Sequence, residues 1–426
     1  MTVNSDTGFR EQAEAARAAG KTLAAAATDK KNAFLMALAS ALEAHTEEIV
    51  AANKLDVAAA ESNGLGDHIV DRLKLDADRI AKIAADVGHV ASLDDPVREQ
   101  IESFTRPNGL EIERVRVPLG VIGVIYESRP NVTVDIAALC LKAGNTVVLR
   151  GGREAINSNK VLAGIARDAL DSSGLPADAV QFIGSTDRAI VDEMLKARGL
   201  IDLLIPRGGE ALINRVREDA RVPAITGGIG VCHTYVDSTA DLEKAVAIVV
   251  NAKTQRPSVC NALDTLLVHE RVAPTFLPAI AQQLADRGVE LRCDGRSMSI
   301  LEPTIGADHL KPVGDEDYGQ EFLALVASIR VVDSMDDAFN HIDEFGSGHS
   351  EAIVTEDKDT SERFLSTVDA AAVFSNASTY FHDGGEFGLG AEVAVSTDRL
   401  HARGPLGLRE ITTYKWVVRG DGQVRS

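Results

Sequence analysis

Cys260 is the residue of this chain best placed to act as a nucleophile. It follows the polar, Pro-containing loop Asn251-Ala-Lys-Thr-Gln-Arg-Pro-Ser-Val and precedes the largely apolar stretch 262–268. A thiolate at such a loop-to-core junction can meet a substrate and feel backbone N–H groups, whereas a structural cysteine normally sits inside an apolar run. The commoner role of a free cysteine is small apolar filler, so this reading needs support from elsewhere in the chain.

Two glycine pairs are candidate anion sites. Arg150-Gly-Gly-Arg153 and Pro206-Arg-Gly-Gly-Glu210 each end a strand-like run and open a helical one. Unpaired N–H groups at the positive end of a helix, with an arginine fork beside them, suit a phosphate. The alternative is a tight turn with solvated arginines. Neither pair matches the GxGxxG dinucleotide pattern, and Gly120 and Gly123 fall inside a strand-like run rather than at its end. Asn131 directly follows that run, at a sheet edge where its amide could donate to an oxyanion; capping the next helix is the competing role. His341 and His349 lack the spacing of a helical zinc pair, and the Gly-Ser-Gly between them makes both read as loop histidines. Cys232 and His233, adjacent on a strand, face opposite ways and read as core.

The elements that must position these residues follow from composition and periodicity. With 426 residues, 45% of them apolar, the chain suits two or three compact units. Its 64 acidic and 44 basic residues give a formal charge of −20, which argues against a nucleic-acid surface or an anionic membrane, so an anionic substrate needs a local basic site. The 4 cysteines, without CxxC or clustered Cys/His spacing, indicate neither a disulfide scaffold nor a bound metal, and a reducing compartment fits. No signal-like apolar core precedes residue 30 and no run of about 18 apolar residues follows, so the expected location is the cytoplasm.

Residues 9–92 are Ala-rich with helical apolar spacing, as at Phe34, Leu35, Leu38 and Leu42, and predict three or more helices. Residues 111–117 read as a charged ribbon and residues 120–126 as a buried strand. The β-type runs 146–149, 180–183, 200–205, 224–225 and 232–236 alternate with helical stretches, which implies a doubly wound parallel sheet. A second series, 265–268, 291–293, 324–332 and 352–354, with a helix over 272–287, implies a second α/β unit. The β-prone tail 411–418 could pair with the ribbon near Ile112, within the subunit or across an interface between copies.

Taken in order, residues 118–126, Arg129-Pro-Asn131, residues 143–149, Gly184-Ser185, Thr226-Gly-Gly228 and Cys260 resemble the aldehyde dehydrogenase superfamily over most of the chain. Longer motifs, residues 126–133, 149–153, 253–261, 346–351 and 403–407, are similar to the γ-glutamyl phosphate reductases. The resemblance implies two doubly wound α/β domains plus a β-ribbon: an NADP-binding domain over 1–107 and 118–230, a catalytic domain over 231–400, and an oligomerisation ribbon over 108–117 and 408–426. It implies Cys260 as nucleophile, with Asn131 and the Cys260 N–H holding the oxyanion. Arg150 takes the place of a cofactor-binding lysine, next to Gly151. Gly184, Ser185, Gly227 and Gly228 would line NADPH, and Glu316 matches a glutamate that contacts the nicotinamide ribose. Ile225 stands where hydrolytic relatives carry a glutamate base, so water activation is not expected. The implied substrate is L-glutamyl 5-phosphate, the implied assembly a homo-oligomer, and glutamate 5-kinase a partner suggested by the instability of the acyl phosphate. A CoA-acylating dehydrogenase and a catalytically silent assembly subunit are the competing readings.

Overall fold

The computed structural model describes residues 8–306 and 309–425. The Ala-rich segment forms the helices Phe9–Ala25, Thr28–Ala44, Thr46–Ser62, Asp67–Leu73 and Ala77–Ser92. Apolar residues three and four apart, Phe34, Leu35, Leu38 and Leu42 on one helix and Ile80, Ile83 and Val87 on another, are buried in one cluster with Ile122, Val124, Val147 and Leu149.

That cluster covers one face of a four-stranded parallel sheet in the order Val180–Phe182, Thr146–Gly151, Val121–Tyr126, Leu203–Arg207. Val121, Ile125 and Val148 point into a second cluster on the other face. Burial on both faces is why these strands read as unbroken apolar runs. Residues 224–225 form no strand and make only a bridge from Ala224 to Leu204. The chain leaves the sheet there because Asp398 holds Thr226 through both its N–H and its hydroxyl, at 2.8 and 3.0 Å.

A seven-stranded parallel sheet follows, in the order Leu310–Pro312, Glu290–Cys293, Val326–Val332, Leu263–His269, Cys232–Val236, Ser350–Val354, Ala372–Ser375. The two end strands were not anticipated, being short and polar or half-buried. The ribbon is three-stranded, Gln100–Thr105, Glu111–Pro118 and Thr412–Arg419, and Val418 pairs with Ile112 within the chain. Val393, Ala394, Leu406, Leu408 and Ile411 pack back into the first core, so the segment before the ribbon joins both sheets. No helix of the described residues is long and apolar enough to cross a membrane.

Candidate active site

Cys260 lies in a turn between the helix Leu242–Thr254 and the strand Leu263–His269. Asp241 starts that helix by accepting from the N–H groups of Glu243 and Lys244, and Pro257 cannot continue it. Lys253, in the last turn and fully buried, reaches across to the strand. Its ammonium donates to the Leu263 carbonyl at 2.7 Å and stands 3.7 Å from Asp264. The turn is thereby tied at both ends. Asn261 donates its amide to the carbonyls of Tyr380 and His382 at 3.1 and 3.2 Å, and Thr379 donates back to the Asn261 carbonyl at 2.8 Å.

The other side of the turn rests on Gly230. A Cβ there would lie 1.8 Å from the Cys260 carbonyl oxygen, so no other residue fits without displacing the turn. The Gly230 N–H donates to Glu321 at 2.9 Å.

Cys260 opens on a cavity of about 960 Å³ between the two sheets. Its walls include the loops after two strands of the first sheet (Glu127 to Arg129 and Pro206 to Gly209), the Gly227-Gly228 turn, residues 319–323 and residues 380–395. Both glycines of the turn are seated against the 395–397 segment: a Cβ on Gly227 would stand 2.9 Å from the Val395 carbonyl, and one on Gly228 would stand 2.5 Å from the Thr397 hydroxyl. Arg72, Arg129, Arg207 and Arg256 also line the cavity. Burial, with the other three arginines as like-charged neighbours, holds Arg129 down to about 10.

Burial pushes the Cys260 thiol up to about 12; the Glu321 and Glu392 carboxylates add to this, while Arg207 and the residue's own N–H oppose it. Glu321 and Glu392, both lining the cavity, are themselves raised by burial.

Of the residues singled out in the sequence, Cys260, Gly227, Gly228 and the Pro206-Arg-Gly-Gly-Glu210 motif share this cavity. Asn131 opens the helix Asn131–Lys142 without capping it; its amide donates to Asp135 at 2.7 Å, and it is absent from the cavity wall that its neighbours Arg129 and Val132 help to form. Arg150 and Gly151 end their strand, and Gly184 and Ser185 follow another strand of the same sheet, all four outside the cavity. A Cβ on Gly151 would lie 2.1 Å from the Asn159 amide nitrogen. Glu316 is exposed in a turn and does not line the cavity, whereas Glu321, five positions on, does.

Both glycine-pair helices begin with some of their donors engaged by the chain's own acids. Gly209 donates to Glu127 at 2.9 Å. The N–H groups of Asn157 and Ser158, in the first turn of Ile156–Ser172, donate to the buried Asp56 at 3.1 and 2.8 Å. Part of each terminus is thus engaged within the chain. His341 differs from expectation, belonging to the helix Met335–Phe345, whereas His349 lies in the loop just before the strand Ser350–Val354, as expected; both are buried. His349 shares the Ser350 hydroxyl with His382, at 2.7 and 2.8 Å. Cys232 and His233 do diverge, Cys232 lying 3.2 Å from the Cys260 carbonyl and His233 2.9 Å from Glu351. Among the described residues no group of His, Cys, Asp or Glu could hold a metal ion.

The aldehyde dehydrogenase family model matches residues 4–315. A γ-glutamyl phosphate reductase from Roseiflexus castenholzii is 54% identical over 99% of this chain and 100% of its own length. The chain belongs to the γ-glutamyl phosphate reductase family, within the aldehyde dehydrogenases. The relative from Dehalococcoides mccartyi is 53% identical over 98% of both chains. The crystal structure of γ-glutamyl phosphate reductase from Thermotoga maritima superposes with a TM-score of 0.94 at 47% identity, covering 98% of this chain and 99% of that one. An acetylating aldehyde dehydrogenase from Geobacillus thermoglucosidasius, 20% identical with a TM-score of 0.69 over 98% and 97% of the two chains, shares the fold. The chain is an oxidoreductase of this family with an aldehyde dehydrogenase-like fold.

The sequence reading missed the cavity arginines as a group, and with them Glu321 and Glu392. Arg129, Arg207 and Arg256 each stand in a motif visible in the sequence, but nothing in their spacing says that they meet. Glu321 had a local signal: it is the acid closest before the strand Val326–Val332.

Proposed function

We propose that this chain reduces L-glutamyl 5-phosphate to L-glutamate 5-semialdehyde and phosphate with NADPH, the second step of proline biosynthesis from glutamate, through a thioester on Cys260. The observation that carries this reading is Cys260, its backbone packed on Gly230, at a cavity lined by the Gly227-Gly228 turn, with the buried, apolar Ile225 two residues before that turn. The sulfur attacks the acyl carbon, the C–O bond to phosphate breaks, and phosphate leaves with the electron pair. A bound reduced nicotinamide would supply the hydride that turns the thioester into a thiohemiacetal. The resulting thiohemiacetal collapses, the C–S bond breaking to free the aldehyde and return the thiolate.

Stabilising the oxyanion falls to the Cys260 N–H and, if its amide exchanges Asp135 for substrate, to Asn131. Losing one such donor typically costs about 2.7–4 kcal/mol of barrier, so Asn131→Ala should lower kcat accordingly. A thiol held near 12 must be deprotonated before attack. Carboxylates that raise it and an arginine that lowers it stand in the same cavity, and of these charged groups only Arg207 favours the thiolate.

The cofactor residues fit a nicotinamide dinucleotide carrying an additional phosphate. Arg150 has a buried Nε without a partner among the described residues. Arg188 is among the charges it feels, and a Cβ on Gly184 would lie 3.3 Å from Lys160 Cε. Arg150, Gly151, Gly184 and Ser185 would hold the dinucleotide on the first sheet and Gly227-Gly228 its nicotinamide end. That Glu321 lines the cavity while Glu316 is exposed outside it supports Glu321 as the glutamate that would contact the nicotinamide ribose.

A hydrolytic reading draws on Glu321 and Glu392, the two cavity carboxylates felt by Cys260. Each already accepts from a backbone N–H, of Gly230 and Gly384 respectively, at 2.9 Å. The deciding experiment is NADP⁺ reduction with glutamate 5-semialdehyde, with and without inorganic phosphate. Strict phosphate dependence supports the acyl phosphate reading, phosphate-independent turnover supports hydrolysis, and CoA dependence supports acyl transfer to a thiol.

The ribbon presents Phe104, Tyr414, Trp416 and Val418 partly to solvent, with Trp416 edge-on to both aromatic neighbours. This supports its use as the contact of a homo-oligomer. We place the enzyme in the cytoplasm. A complex with glutamate 5-kinase would protect the acyl phosphate; failure to co-purify together with no gain in coupled flux would count against it.

A further inference from the structure

We propose that Arg72, Arg129, Arg207 and Arg256 together form the phosphate pocket of the reaction, holding the phosphoryl group of the acyl phosphate and, in reverse, inorganic phosphate. The inference rests on the acyl phosphate reading above and names the residues that confer its leaving-group specificity.

The four arginines come from four separate elements. Arg72 lies in the last turn of Asp67–Leu73, Arg129 in the loop after Val121–Tyr126, Arg207 at the end of Leu203–Arg207, and Arg256 in the turn that carries Cys260. All four line the cavity. No ion pair or side-chain hydrogen bond joins any of them to a described residue. The contrast with arginines elsewhere is sharp: Arg116 and Arg409 both hold Glu99, Arg215 holds Asp192, and Arg292 holds Asp317.

In a chain with a formal charge of −20, acids to pair with four guanidinium groups are abundant. The cavity also carries Glu127, Glu210, Glu321, Asp383, Glu386 and Glu392, none of them ion-paired with these four guanidinium groups, and burial first, then the other three like charges, holds Arg129 down, so the unmatched positive charge is unfavourable. A multiply charged anion offsets it. Guanidinium forks match phosphate oxygens two at a time, and they are less strongly hydrated than lysine ammonium groups. A single carboxylate would engage one fork and leave the others opposed.

The placement suits the chemistry. Arg129 and Arg207 each interact electrostatically with Cys260, so the phosphate would be held beside the sulfur that displaces it. In the forward step the C–S bond forms, the C–O bond breaks, and phosphate departs with the electron pair into a cationic pocket. In the reverse step a phosphate oxygen attacks the Cys260 thioester, and the C–S pair returns to sulfur.

The test is the reverse reaction with Arg256→Gln and Arg129→Gln, titrating phosphate, semialdehyde and NADP⁺ separately. Removing one charged donor should raise KM for phosphate about 10- to 100-fold, leave KM for semialdehyde and NADP⁺ within twofold, and be partly rescued by Arg256→Lys. Melting temperatures matching wild type exclude misfolding. Should one variant not fold, the other still decides the matter through phosphate-induced stabilisation, which should be lost relative to wild type. Unchanged phosphate KM in enzymes that still require phosphate would overturn the proposal. A rise confined to semialdehyde would reassign the arginines to the substrate carboxylate, and one confined to NADP⁺ would reassign them to the cofactor; either result overturns it. A wild type that turns over without phosphate would instead sink the acyl phosphate reading itself.

Discussion

Gly230 and the Cys260 carbonyl are packed so closely that a Cβ on the glycine would stand 1.8 Å from the oxygen. This contact joins the segment entering the second sheet to the turn that carries the thiol. It fixes the Cys260 backbone, and with it the start of the side chain, beside the cavity.

Gly230→Ala must therefore move the turn. A displacement of about 1 Å at a reacting atom can cost about 10²-fold in rate, so kcat should fall by at least that factor while the fold persists. Steady-state kinetics beside circular dichroism checks this; near-normal kcat would mean that the turn yields without consequence.

Alkylation of ligand-free Cys260 should be slow at neutral pH and climb about tenfold per pH unit through pH 10 without levelling, since an acid held near 12 stays protonated below that value. An unperturbed thiol would level near about 8.5. Background from Cys140, Cys232 and Cys293 should be small, all three being buried with raised thiols. Mass spectrometry of the peptide containing Cys260 gives the rate, and a plateau below pH 9 would contradict the assignment. Cys260→Ser should abolish turnover and retain NADPH binding.

Glu321→Gln and Glu316→Gln should behave differently. Glu321 raises the Cys260 thiol and lines the cavity, so its neutral variant should speed alkylation of Cys260 severalfold and weaken NADPH binding about tenfold, ~1.4 kcal/mol. Glu316, exposed in its turn, should change neither. Equal effects from both variants, or an effect of Glu316→Gln alone, would restore the glutamate chosen from sequence.

Burial holds His349 and His382 down to about 3 and about 4. Between pH 6.5 and those values the unfolded chain binds protons that the fold does not, so these residues make stability fall as the pH drops. For one such histidine the loss at pH 5 is about 2 kcal/mol. Asp135 and Asp264, pushed up to about 6 and about 7 by burial, act in the opposite sense, so the informative quantity is a difference. His349→Gln should lose about 2 kcal/mol less than wild type between pH 7 and pH 5 in urea unfolding. Identical losses would mean that His349 is protonated in the fold.

Much of the architecture was legible in order along the chain. Apolar residues at helical spacing marked the helices of residues 9–92, unbroken β-type runs marked both parallel sheets, and the tail paired with the ribbon at Ile112 as expected. These are local properties: side-chain periodicity and burial on two faces are written into consecutive residues. The thiol at Cys260 and the Gly227-Gly228 turn were equally legible, because a loop-to-core junction and a glycine pair are visible in a few positions. Convergence was not. Arg72 and Arg256 lie far apart in sequence and become neighbours of Arg129 only when helix, sheet edge and turn close around one cavity. The same closure places Glu321 beside Cys260 and leaves Glu316 outside, and it sets Glu127 and Asp56 at the glycine-pair helix ends. Acidity belongs to this second class too: a cysteine carries its ordinary acidity in the sequence, and only burial beside Glu321 and Glu392, against the opposing pull of Arg207, raises the Cys260 thiol.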